Sequence, residues 1–122
     1  MDEIRTLCDQ VRQTAYDIHC YHACGHLEKV YENALVHRLR KLGLNIKQQC
    51  PLNVFDEDGA LLGEYFVDLL VDEMLVVELK TAKTIAREHE AQLLAYLKGT
   101  HLRHGLLINF GSPKFEIRKF AL

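Results

Sequence analysis

Apolar positions recur at steps of three and four through the first third of the chain and then change rhythm. In residues 2–21, Ile4, Leu7, Cys8, Val11, Ala15 and Ile18 form one helical stripe. Gly25 interrupts it. A second stripe follows at Leu27, Val30, Tyr31, Ala34, Leu35, Leu39 and Leu42, and Gly43 supplies its stop. From residue 45 the pattern is that of strands. Residues 45–55, 61–71 and 74–80 predict three of them, with Asp56-Glu57-Asp58-Gly59 as a hairpin turn and Asp72-Glu73 turning the chain again. Residues 84–98 predict a helix whose apolar side is Leu93, Leu94 and Leu97. His104–Phe110 reads as a buried strand and Phe115–Phe120 as an alternating edge strand. Pro51 and Pro113 fall where a strand edge or a turn tolerates them. The order helix, helix, three-strand meander, helix, strand, strand predicts an α/β fold of the α+β kind, a mixed sheet with helices packed on it.

Composition bounds this picture. A chain of 122 residues suits one domain, 1–122, and 48% apolar residues can furnish a core. A charged fraction of 26% excludes global disorder. No apolar run approaches the roughly 18 residues of a membrane span, and the first residues lack a signal-peptide core. The expectation is a soluble, cytoplasmic protein with no membrane partner, whose four cysteines are reduced thiols. The net charge of −2 does not advertise a nucleic-acid partner. Its distribution is uneven, however. Residues 1–80 carry 8 Lys and Arg against 14 Asp and Glu, whereas residues 81–122 carry 7 against 3. Carboxylates upstream could hold a metal while a basic C-terminal third approaches phosphates; a randomly asymmetric solvated surface is the plainer alternative.

The strongest chemical signal lies in residues 65–80. Asp68 interrupts one apolar run, and a second run ends Glu78-Leu79-Lys80. Strand side chains alternate, so Glu78 and Lys80 share a face, and the tight turn brings Asp68 near Glu78. Ionised carboxylates on strands this apolar are costly without partners. A hard divalent cation relieves both, and Mg²⁺ favours a few carboxylate oxygens together with water and phosphate oxygens. The Lys80 ammonium suits charge developing on a phosphoryl group. A Glu–Lys or Asp–Lys salt bridge at a sheet end is the alternative. Two helical features add to the constellation. Glu28 sits on the first turn after Gly25, with Tyr31 three residues on, as a metal-site acid or merely a capping one. Gln92 and Tyr96 share a face that His89 extends by a turn, either reaching phosphate or edging a packing surface.

Residues 19–26 (HCYHACGH) hold five soft-metal ligands. A single helix cannot converge four of them on one tetrahedral ion, so buried thiols with exposed imidazoles are expected rather than a zinc site. There is no phosphate-binding loop and no dinucleotide fingerprint.

Taken together, Gly-x-x-Glu-x-x-Tyr at 25–31, Asp68, Glu78-x-Lys80 and Gln92-x-x-x-Tyr96, with the stretches VVELK, AQLLAYLKGT and GLLINFGS, resemble the PD-(D/E)XK nuclease superfamily. The small GxxExxY proteins are the nearest group within it. The resemblance runs from about residue 5 to 120, and the Asp lacks the preceding proline of the full motif. It implies a restriction-endonuclease-like core and metal-dependent hydrolysis of phosphodiester bonds, with Mg²⁺ or Mn²⁺ as cofactor. Asp68, Glu78 and the Leu79 carbonyl would be metal ligands. Lys80 would be the catalytic lysine and Glu28 the helical acid. Gln92 and Tyr96, with His89 and Tyr31, would support the site and substrate. DNA is the expected substrate, with RNA open, and a homodimer would extend the small contact area. The competing functional reading is a nuclease-fold module that binds nucleic acid or protein without turnover.

Overall fold

In the computed structural model, residues 2–122 are described. Helix α1 spans Glu3–His22, and the Asp2 carboxylate caps it by accepting from the Ile4 N–H at 3.1 Å. It buries Ile4, Leu7, Cys8, Val11, Ala15 and Ile18, the stripe the spacing predicts. Helix α2 spans Glu28–Lys41. It ends where Gly43, at φ 86°, lets its own N–H reach the Arg40 carbonyl and that of Leu44 reach Leu39. Its buried face is rotated from the expected stripe. Tyr31, Glu32, Leu35, Val36 and Leu39 point inward, while Leu27 and Leu42 at the two ends are exposed. Leu27 and Leu42 are the residues that flank the helix rather than lie in it, and Val30 within it is 40% exposed, so the arc runs through Glu32 and Val36 instead.

The strands are β1 (Ile46–Phe55), β2 (Leu61–Val71), β3 (Leu75–Lys80), β4 (His104–Asn109) and β5 (Glu116–Ala121). They form one sheet in that order, parallel only between β3 and β4 and antiparallel elsewhere. The parallel pair requires a crossover, which α3 (Arg87–Thr100) supplies. α1 and α2 pack on one face over Ile46, Leu69, Val71, Val77, Leu106 and Ile108. α3 covers the other with Leu93 and Leu97 against Val67, Leu70, Val76 and Leu107, while Leu94 is more exposed than its spacing suggests. α3 begins at Arg87 rather than 84, because Thr84 Oγ1 and the Ile85 N–H both bind the Glu116 carboxylate, at 2.8 and 3.1 Å. Those two residues are committed to a loop.

The hairpin of β1 and β2 outruns the rest of the sheet. β2 pairs with β3 only from Leu69 to Val71, but with β1 back to Leu61. Its far half leans on α3, where Val54 lies so close to Gly99 that a Cβ there would sit 2.9 Å from its methyl carbon. The point at which β2 leaves β3 is Asp68.

Candidate metal and phosphodiester site

Asp72 and Glu73 both adopt positive φ, 50° and 60°, as a tight hairpin turn demands. The register they set pairs Val71 with Leu75 and Leu69 with Val77, so the next position places Asp68 opposite Glu78. There the backbone ladder gives way to side chains. The Asp68 N–H donates to Glu78 Oε1 at 3.0 Å, and the Leu79 N–H donates to Asp68 Oδ2 at 2.8 Å. The two carboxylates fill the wedge between diverging strands. The divergence has a local signature. Leu69 and Val71 face the α1–α2 layer but Val67 faces α3, although alternate residues of a regular strand share a face. β1 breaks beside it, between Ile46 on one face and Cys50 on the other, where Gln49 takes a left-handed φ of 50°.

Glu78 is only 6% exposed. Burial first, and then the Asp68 charge, push its carboxyl up from 4.5 to about 8, against the opposing pull of the Asp68 N–H and of Lys80. Glu28 is raised as well, by burial and then by Asp68, with Lys80 pulling the other way. Tyr96 is raised by burial and then by Glu78. The charges of Asp68 and Lys80 thus reach both Glu28 and Glu78, and those of Glu78 and Asp68 reach Tyr96. Among the described residues the ion pairs are Arg12–Asp9, Lys29–Glu32 and Lys47–Glu73, so Lys80 is not consumed in a salt bridge with either carboxylate.

A hard cation fits this donor set. Asp68 and Glu78 face each other, and the Asp68 charge raises both Glu78 and Glu28, a crowding of acids that a divalent cation would relieve. Asp68, Glu78 and the Leu79 carbonyl would be the holders. No three side chains of the His, Cys, Asp or Glu type converge into a complete cage among the described residues.

The supporting residues divide. Tyr96 is half-buried, its ring 4.4 Å from that of Tyr65, and Gln92 is exposed one turn earlier. His89 accepts the Ala86 N–H at Nδ1, 3.1 Å away, and so caps the start of α3. Tyr31 is wholly buried, stacked on Phe110 with ring centroids 4.7 Å apart. Its hydroxyl donates to the Ala23 carbonyl and accepts from the His26 N–H, so it anchors the α1–α2 connection and thereby the start of the helix that carries Glu28.

The histidine- and cysteine-rich stretch corrects an expectation. α1 stops at His22, and Cys20 and Cys24 are exposed rather than buried. The buried member is an imidazole, His19, whose Nε2 bonds the Ser112 carbonyl at 2.8 Å. The helix end turns the Cys20 side toward solvent, while His19 faces Ser112 and Phe115 in the loop between β4 and β5.

Three groups carry weight that sequence reasoning passed over. Asn109 is completely buried and fully bonded. Its Oδ1 accepts from Ala82 and Gly111, and its Nδ2 donates to the Ala82 carbonyl and Glu116. Gly111 presses on the same loop, where a Cβ would lie 2.4 Å from the Thr81 carbonyl carbon. Together they fix the chain just beyond Lys80. Glu32 and Gln49 are the other two groups. Glu32 had a visible signal, since it lies on the buried arc between Tyr31 and Leu35, while Gln49 had none.

Comparison with known proteins bears on the family and the fold. The sequence profile of the PD-(D/E)XK nuclease superfamily matches residues 5–120. The fold is similar to the crystal structure of SSO0001, with a TM-score of 0.60 and 16% identity over 76% of this chain. The match covers 48% of that chain, about half its length. No curated protein matches.

Proposed function

Because the chain belongs to the PD-(D/E)XK nuclease superfamily, we propose that it hydrolyses phosphodiester bonds, in DNA first, at the cluster of Asp68, Glu78, Lys80 and Glu28. The observation that carries this reading is the facing of Asp68 and Glu78 across the opened strands, with the unpaired Lys80 beside them. Asp68, Glu78 and the Leu79 carbonyl would hold Mg²⁺ or Mn²⁺. When bound, the cation would supply Lewis acidity at phosphorus and lower the pKa of a coordinated water. Lys80 places its ammonium where charge develops on the phosphoryl oxygens. Glu28, its carboxyl raised above the ordinary range, accepts the proton of the attacking water. Tyr96 and Gln92, on the α3 side of these residues, orient the phosphate, and His89 and Tyr31 keep the two helices in place. The Gly25-x-x-Glu28-x-x-Tyr31 spacing further supports the GxxExxY group.

Incubating single- and double-stranded DNA and RNA with the protein in Mg²⁺ or Mn²⁺ tests this. Cleavage by the wild type that is absent in Asp68→Ala, with circular dichroism unchanged, is the expected result. Equal cleavage by both rules out the assigned site. Binding without cleavage in any divalent cation favours the inactive binding module, a reading that the acid excess of residues 1–80 supports.

A further inference from the structure

Glu32 is 2% exposed, and the proposed chemistry does not use it. An isolated buried carboxylate is costly, so what it binds matters. Lys29 Nζ and Gln48 Nε2 donate to its Oε2 at 2.8 and 2.5 Å, and Gln49 Nε2 donates to its Oε1 at 2.9 Å. The same Gln49 nitrogen donates to Asp68 Oδ1 at 3.1 Å. With a carboxylate on either side, only the NH₂ end of the amide can face them, so chemistry fixes its orientation. Asp68 is therefore gripped at both oxygens, by Gln49 from β1 and by the Leu79 N–H from β3.

The backbone supplies a second, independent observation. Gln49 holds a left-handed φ of 50°, a conformation costly for a residue with a side chain. It is exposed, so packing does not demand a glutamine there. Glycine would occupy that conformation freely. A strained residue whose side chain reaches the site and little else marks a positioning role.

We infer that Gln49, itself oriented by the buried Glu32, is a positioning residue that aims the Asp68 carboxylate at the divalent cation. The chain from α2 through β1 to β2 sets which lone pairs of Asp68 stay open. The inference rests on the reading of Asp68 as a metal ligand. Groups that hydrogen-bond to ligating carboxylates typically alter metal affinity by about 10–100-fold.

Calorimetric titration of Mn²⁺ into the wild type, Asp68→Ala, Gln49→Gly and Gln49→Met, without nucleic acid, tests it, alongside thermal melts. Wild type is expected to bind and Asp68→Ala not to. Both Gln49 variants should bind at least about tenfold more weakly. Gln49→Gly relieves the strained φ, which offsets part of the cost of leaving Glu32 Oε1 without its donor, so it should melt higher than Gln49→Met. Equally weakened metal binding in two variants of different stability is a result that a merely structural glutamine does not produce. If both Gln49 variants bind Mn²⁺ as wild type does while Asp68→Ala fails, the positioning role is overturned and the metal site stands. Absence of Mn²⁺ uptake by the wild type overturns both.

Discussion

Two polar clusters flank the C-terminal end of β3, and they are built on opposite terms. On one side Asn109 and Glu116 bind the 81–86 loop with donors matched to acceptors. The Asn109 amide, first among several donors, holds the Glu116 carboxyl below its ordinary value. On the other side Asp68, Glu78 and Glu28 confront one another, and Glu78 is pushed up to about 8. Both clusters sit at the end of a buried sheet. A cluster of matched donors and acceptors ties chain segments together, whereas a cluster of crowded acids invites positive charge.

Replacing Lys80 should break the contrast most sharply. Lys80→Met is expected to lower cleavage by about 10²–10³-fold, the scale for removing one preorganised charge, while the melting temperature stays put because no ion pair is lost. A gel assay and a thermal melt read the two quantities. On the satisfied side the pattern should invert. Asn109→Ala strips partners from buried groups and should cost about 3 kcal/mol, seen as a lower denaturant midpoint. Metal affinity in the same variant measures how far the loop beyond Lys80 conditions the site.

The pH dependence separates the clusters without mutation. Glu78 has a raised folded value, so the folded state binds an extra proton between about 4.5 and about 8. Stability from this group is therefore lost as pH rises through that window. Glu116 is depressed, so its contribution is present above the ordinary carboxylate value and is lost as pH falls through its lowered one. Metal-free protein should melt lower at pH 8 than at pH 5.5. Glu78→Gln should flatten that slope, and millimolar Mn²⁺ should raise the pH 8 melt most. A steeper slope in Glu78→Gln would place the titration elsewhere. The smallest effect belongs to the exposed thiols. Cys20→Ser with Cys24→Ser should shift stability by no more than about 0.5 kcal/mol and leave metal uptake unchanged.

Much of the site was legible because the chemistry is written in short-range spacing. An acid inside an apolar strand and a Glu-x-Lys after a two-residue turn must come together once the turn forms, whatever the rest of the chain does. Glu28 was legible as the acid opening a helix. Glu32 was overlooked because the stripe was counted from Leu27, an end residue that proves to be exposed, and the arc was thus rotated by part of a turn. Asn109 looked like one more residue of a buried strand, and its bracket depends on a glutamate in the next strand and a loop far upstream.

The periodicity of the chain was enough to specify the eight elements, their order and the meeting of Asp68 with Glu78, because each rests on contacts a few residues apart. The tertiary structure alone decided that β2 leaves β3 at Asp68, that Gln49 bends into a left-handed conformation, and that Glu32 reaches across from α2 to hold it. Those features arise where two helical layers and a long hairpin compete for the same strands, and no local pattern records the outcome of that competition.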